Sequence, residues 1–216
     1  MTRQFDLLKK NGWCEFQFTD ASALNTELLS IGIQLGKPVP LRKSVGLVQD
    51  LQPISKTRFK NSLTAKYATG EFPLHTDTAH WLTPCRYIVL GCLSEGLRKR
   101  ETVLVDFKKL KISYEEKLIL MSEPFRVTNG RFSFFGTILS QDRQFLRYDP
   151  GCMTPTKNRG VEAESIFSKA RTEDCKISID WFEGRVVVID NWRVLHGREA
   201  GSGKGSERII SRVLIE

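Results

Sequence analysis

From Pro84 onward the chain is a succession of short apolar runs broken by turn residues. The run 86-RYIVLGCL-93 is almost continuously apolar, the pattern of a strand buried on both faces, and 102-TVLVDF-107 follows it. In 125-FRVTNGRFSFF-135 an Asn-Gly pair separates two apolar stretches and predicts a hairpin. Further strands are expected at 12-GWCEFQF-18, 145-FLRYD-149, 185-RVVVID-190 and 207-ERIISRVLIE-216. Three stretches have helical spacing. Residues 20–36 have Asp20 or Ser22 to cap the start, Gly36 at the C-terminal turn and Pro38 beyond it. Residues 113–121 open with Ser113 and Glu116 at capping-box spacing, and 161–174 form the third. Residues 37–70, with Pro38, Pro40 and Pro53, read as loops and short strands covering a site. Many short strands with few helices predict a mainly β fold, a sandwich, jelly roll or barrel, in one domain over residues 1–216.

Composition narrows the class. With 40% hydrophobic and 27% charged residues the chain is that of a globular protein, and no apolar run reaches the roughly 18 residues of a membrane span. The N-terminal MTRQFDLLKKNGW has no apolar signal region, so a cytoplasmic location is expected. Five widely spaced cysteines without a CxxC pair predict buried, reduced thiols rather than a disulfide framework. The net charge of +8 raises a nucleic-acid partner, but the basic residues are dispersed apart from 98-RKR-100 and 108-KKLK-111. A basic surface, or a pocket for small anions, accounts for the charge more simply. A homo-oligomer is left open.

The chemistry concentrates in 72-FPLHTDTAHW-81, which holds two of the three histidines. On a strand, His75 and Asp77 at i and i+2 share a face, so an imidazole and a carboxylate can reach one ion. His196 in 190-DNWRVLHGRE-199, at the start of a Gly-rich turn after an apolar strand, is the candidate third ligand. Two histidines and one carboxylate with open positions form the facial triad of non-haem Fe(II) oxygenases. Zinc accepts the same donors, and a zinc hydrolase would need a base, for which Glu199 is the nearby acid. His80 reads as a packing neighbour. Arg208 and Arg212 lie four residues apart on the last strand; such a pair suits a dicarboxylate, or belongs to a surface strand of alternating charge.

These residues resemble the Fe(II)/2-oxoglutarate-dependent dioxygenases of the taurine dioxygenase and γ-butyrobetaine hydroxylase type (TauD/TfdA-like). The matching segments are 73-PLHTD-77, 84-PCRYIVLGCL-93, 101-ETVLVD-106, 147-RYDPGCM-153, 184-GRVVVIDNWRVLHGR-198 and the Arg208 strand. The resemblance implies a double-stranded β-helix (jelly roll, cupin-like) with flanking helices. It implies Fe(II) held by His75, Asp77 and His196, with 2-oxoglutarate and O₂ as co-substrates. Thr102 and Arg208 would meet the distal carboxylate of 2-oxoglutarate, and Arg212 would lie nearer its C1 carboxylate or an anionic substrate. The carboxylate ligand argues against a halogenase. The family usually has two glycines shortly before the threonine, where this chain reads 98-RKRETV-103.

The expected reaction is oxidation, most commonly hydroxylation, of a C–H bond in a small polar or amino-acid-like molecule, with release of succinate and CO₂. Candidate substrate-lining residues are Asn61, Ser62, Trp81, Arg147, Tyr148 and Arg198, with Arg147 poised between a substrate carboxylate and Asp149. The competing readings are the zinc hydrolase and a non-catalytic basic nucleic-acid-binding module.

Overall fold

The computed structural model describes residues 1–52, 67, 70–142, 144–170, 175–202 and 205–216. Its strands are β1 (Trp13–Gln17), β2 (Pro38–Val39), β3 (Val48–Leu51), β4 (Phe72–His75), β5 (Tyr87–Ser94), β6 (Thr102–Asp106), β7 (Phe125–Asn129), β8 (Phe132–Gly136), β9 (Met153–Pro155), β10 (Lys176–Ile179), β11 (Arg185–Asp190), β12 (Val194–Arg198) and β13 (Ile209–Ile215). The helices are α1 (Thr2–Asn11), α2 (Leu24–Leu35), α3 (Tyr114–Ser122) and α4 (Asn158–Ala170).

Two antiparallel sheets face one another. The larger has the order β1-β11-β5-β13-β2, with β3 also paired to β13; the smaller is β10-β6-β12-β4. Alternation along the strands divides the interior. On β5, β11 and β13, residues such as Ile88, Leu90, Val187, Ile189, Ile210 and Leu214 point into the space between the sheets, where they meet Leu104, Ile179, Trp181 and Val194. The opposite parity on the same strands, Val89, Val186, Val188, Val213 and Ile215, packs under α2 through Leu24, Leu28 and Ile31. Outside the smaller sheet a third core forms from Val103, Val105 and Leu195 with α3, α4 and the β8-β7-β9 sheet. The near-continuous apolar runs of β5 and β11 follow from this layering, because both faces of those strands are covered. Jelly-roll architecture with flanking helices is thus the observed fold.

Local chemistry explains most boundaries. Ser113 and Glu116 form the reciprocal capping box of α3, at 3.1 and 2.8 Å. Asp20 caps a single 3₁₀ turn through the Ser22 amide, and α2 begins only at Leu24. Gly36 ends α2 in an extended conformation, and a side chain there would sit 2.2 Å from the Glu216 carbonyl. Glycine is required by the close approach of the chain's last residues.

The structure also corrects several expectations. Helix α1 is present where no element was anticipated. β12 is a strand rather than a loop, and β9 and β10 are additional strands. The expected strand 145–149 is not one. Leu146 makes only an isolated bridge to Leu139, while the amides of Leu146, Arg147 and Tyr148 go to Trp192, Ile138 and Thr76 respectively. That segment is tied to three elements and forms no ladder. The 161–174 helix starts three residues earlier, at Asn158, and its expected end at 171–174 lies outside the described residues.

The seam between α2 and β5 is tight. A methyl group at Gly91 would lie 2.8 and 3.0 Å from the two Leu28 methyls and 3.3 Å from Leu24. Gly91→Ala should therefore cost about 1–3 kcal/mol of stability by overpacking. Urea denaturation measures it, and an unchanged midpoint would contradict this packing.

Candidate metal centre

His75 is the last residue of β4, and Asp77 follows two residues later, after Thr76, as the first of a turn. Asp77 therefore reaches the interior from a turn, not from the strand assumed in the i, i+2 argument. His196 lies in mid-β12, paired in register with His75 on one side and Leu104 of β6 on the other. It shares the inward parity of Val194, which faces the space between the sheets. The three side chains converge, one ligand atom from each lying within 4.8 Å of the others. The imidazole centroids are 4.3 Å apart, and His75 Nε2 is 3.9 Å from Asp77 Oδ1.

The donor set fits a divalent ion. His75 Nδ1 is engaged by the Pro73 carbonyl at 3.0 Å, which leaves Nε2 facing the cluster. Asp77 Oδ2 accepts from Arg212 Nη1 at 2.9 Å, leaving Oδ1 toward His75. Burial works to raise the Asp77 carboxyl, but the adjacent Arg212 guanidinium, above all, holds it down at about 2, so it is ionised. Burial, reinforced by His75, lowers His196 to about 3 and keeps it neutral, the metal-binding form. His196 Nδ1 is buried without a protein partner.

A second group lies one step along the same strands. Arg198, two residues from His196 on β12, pairs in register with Thr102 at the start of β6. That step is about 7 Å. Arg208 enters from just before β13 and donates through Nη2 to Thr102 Oγ1 at 3.1 Å and through Nη1 to the Arg100 carbonyl. Its guanidinium lies 5.6 Å from the Trp181 ring centroid. Burial, with Arg198 nearby, lowers Arg208 to about 9, so it remains a cation near neutral pH.

A family model described as "Taurine catabolism dioxygenase TauD, TfdA family" matches residues 119–214. The fold resembles an asparagine oxygenase solved with Fe(II), 3-hydroxyasparagine and succinate (TM-score 0.80, 16% identity, 99% of this chain and 79% of that one). It also resembles the non-haem iron oxygenase OrfP solved with Fe and α-ketoglutaric acid (TM-score 0.77, 19% identity, 99% of this chain and 77% of that one). No curated protein matches the chain in sequence.

Over residues 119–214 the chain resembles the TauD/TfdA family.

Around the ligands of this TauD/TfdA-like site stand residues that the sequence pattern did not single out. Asn191 is fully buried in the turn between β11 and β12. Its Oδ1 accepts from the Asp77 amide at 2.8 Å, and its Nδ2 donates to the Asp77 and Cys85 carbonyls at 3.0 and 2.9 Å. The peptide of one ligand is thus clamped by the loop that leads to another. Thr78, next to Asp77, is the one described non-glycine residue with positive φ, at 55°. A β-branched residue held there stores on the order of 1–3 kcal/mol of strain. Its hydroxyl accepts from the Cys85 amide at 2.7 Å.

The remaining sequence candidates separate. Arg147 pairs neither with Asp149 nor with an open cavity. It is 3% exposed and donates to the carbonyls of Ala79, Trp81 and Leu82 at 2.9, 2.8 and 2.6 Å, bracing the loop behind Asp77. Tyr148 is stacked on Phe167 of α4 at 4.5 Å, on the outer side of the smaller sheet. Trp81 is half-buried at the end of the ligand turn, its ring 6.2 Å from that of His80. Arg198 donates to the Gly70 carbonyl at 2.8 Å and lies 4.8 Å from the Phe72 ring. Asn61 and Ser62 fall outside the described residues.

Removing the Asn191 clamp tests whether it positions Asp77. Asn191→Ala should weaken metal binding about 10–100-fold, the usual effect of losing a partner behind a ligand. Titration with Co(II), followed by its absorption, reads this directly; wild-type affinity would show that Asp77 needs no clamp.

Proposed function

We propose that this protein is a non-haem Fe(II)- and 2-oxoglutarate-dependent oxygenase that hydroxylates a C–H bond of a small, amino-acid-like molecule. The observation carrying the reading is the pairing of two sites on adjacent strands. One is a His₂-carboxylate cluster with an ionised Asp77; the other is a buried Arg208–Thr102 clamp about two strand residues away. A short dicarboxylate matches that separation, with one end at the metal and the other on a guanidinium. Bound Fe(II) with O₂ and 2-oxoglutarate would supply the oxidation, with succinate and CO₂ as co-products.

The chain's own residues would orient and shield. His75, Asp77 and His196 hold the ion on one side. Arg208 and Thr102 bind the distal carboxylate, and Arg212, which keeps Asp77 ionised, lies where it can also meet the C1 carboxylate. The amino-acid-like substrate class is supported by the neighbouring folds, one solved with 3-hydroxyasparagine and another with (3S)-hydroxy-L-arginine. Trp81, at the end of the turn that carries Asp77, and Arg198, in register with Thr102, are the described side chains we assign to substrate. Arg147, which donates through both Nη atoms to loop carbonyls, and Tyr148, stacked on Phe167 outside the smaller sheet, are not.

Two other readings lose their support. A zinc hydrolase would have Glu199 as base, but Glu199 has the opposite strand parity to His196 and Arg198 and pairs with Lys176 at 3.5 Å. A nucleic-acid surface would draw on the basic run 98–100, but Arg98 and Arg100 turn to Glu207 at 3.4 and 2.7 Å. No described helix is long and apolar enough to cross a membrane. All five cysteines are free thiols, which suits a reducing compartment and supports a cytoplasmic location.

Succinate formation from 2-oxoglutarate with Fe(II), ascorbate and a panel of amino acids tests the assignment. Asp77→Ala should bring turnover to background. Arg208→Ala should raise the 2-oxoglutarate KM about 10–100-fold, the weight of a charge-assisted hydrogen bond. No succinate with any substrate, together with no Fe(II) binding, would overturn the proposal.

A further inference from the structure

The clamp end of the interior has a fixed hydrogen-bond polarity, and one residue outside the proposed contact set determines it. Thr102 Oγ1 accepts two hydrogen bonds, from Trp181 Nε1 at 2.8 Å and from Arg208 Nη2 at 3.1 Å. Neither partner can accept, because an indole N–H and a guanidinium are donors only. A hydroxyl oxygen has two lone pairs, and both are used. The Thr102 hydrogen must therefore point away from both partners, as a donor without an acceptor among the described residues.

Arg208 is fixed in turn. The Glu207 carboxylate takes Arg100 in a bidentate grip, Nε at 2.7 Å and Nη2 at 3.0 Å, with the Arg100 side chain completely buried. Arg208 donates to the carbonyl of that same Arg100. Consecutive residues 207 and 208 thus hold the side chain and the backbone of one residue, and the guanidinium of Arg208 cannot swing off Thr102 without breaking this closed ring. Its five N–H groups exceed the two bonds it makes to Thr102 and Arg100.

We infer that Trp181 is a positioning residue which locks the Thr102 hydroxyl as a donor, so that the Thr102–Arg208 end accepts a carboxylate and discriminates against its amide counterpart. This rests on the proposed 2-oxoglutarate site. A carboxylate can take both the Thr102 O–H and the Arg208 N–H groups, whereas an amide nitrogen would bring donor against donor. Without the indole N–H, one lone pair of Thr102 is released. The hydroxyl can then rotate to accept from an amide NH₂, and selectivity falls.

The test is calorimetric binding of 2-oxoglutarate and of 2-oxoglutaramate, its distal amide, to Co(II)-loaded protein. The wild type should prefer the carboxylate by at least about tenfold. Trp181→Phe, which keeps an aromatic ring and loses the N–H, should narrow that ratio severalfold while Co(II) affinity stays unchanged. Thr102→Val should abolish the effect of adding Trp181→Phe, because the hydroxyl through which Trp181 acts is gone. Trp181→His, which retains an N–H donor, should recover part of the ratio and serves if the phenylalanine variant does not fold. The same ratio in wild type and Trp181→Phe would overturn the inference. Failure of the wild type to bind 2-oxoglutarate at all would instead overturn the co-substrate assignment.

Discussion

The ion pair between Arg212 and Asp77 joins the two sheets at the point where the chemistry is placed. Arg212 projects inward from β13 of the larger sheet, and Asp77 lies in the turn that ends β4 of the smaller one. Two buried charges are costly unless each has an excellent partner. Here the guanidinium also holds Gln49 of β3 at 2.8 Å, which brings a third strand into the arrangement. The consequence for Asp77 is geometric as well as electrostatic. One carboxylate oxygen is taken by Arg212, so the other is presented toward the histidines, and the group stays ionised despite its burial. The orientation of the Asp77 carboxylate toward the histidines is therefore fixed by a contact that crosses between the sheets.

How much of this was legible depended on whether a signal was local. His75, Asp77 and His196 could be proposed because histidines are scarce and lie beside strand-like segments, although Asp77 reaches the cluster from a turn and not from the strand assumed for it. Arg208 and Thr102 came from resemblance, and the structure brings them together. β12 was not legible as a strand. Its inward residues are the polar His196 and Arg198, so the usual polar-out alternation is reversed at the site it serves. Asn191 and Trp181 were missed for another reason. Their partners Asp77 and Thr102 are 114 and 79 residues away, and neither leaves a mark on its own neighbourhood. Arg147 was left between a substrate carboxylate and Asp149, and neither expectation anticipated the loop carbonyls it meets. Its position against three loop carbonyls exists only in the folded chain.

The positive charge of the chain also changes meaning once folded. In sequence, 98-RKRETV-103 departs from the small residues expected before Thr102 and looks like a basic surface run. In the structure Arg100 is buried on Glu207, Arg98 is beside the same carboxylate, and the backbone carbonyl of Arg100 holds Arg208. A compact guanidine group lacking the indole–hydroxyl and carbonyl contacts could rotate freely, and its charge alone would attract any anion. Tied as it is, Arg208 offers N–H groups in one direction.

The interior thus has two chemically different ends. At the metal end an ionised carboxylate and two imidazoles offer electron pairs and attract a cation. At the clamp end Thr102 and Arg208 present hydrogens and attract an anion. A ligand with a chelating carbonyl–carboxylate head and a carboxylate tail satisfies both ends in one orientation only, because reversing it would leave one end with the wrong group. That polarity is built from side chains on β6, β12, β13 and the turn after β4, elements paired by backbone hydrogen bonds, so it exists before any ligand arrives. The loop behind Asp77 is preset in the same way, because Arg147 holds the carbonyls of Ala79, Trp81 and Leu82. The backbone that follows the carboxylate and carries Trp81 is therefore fixed by a single buried guanidinium.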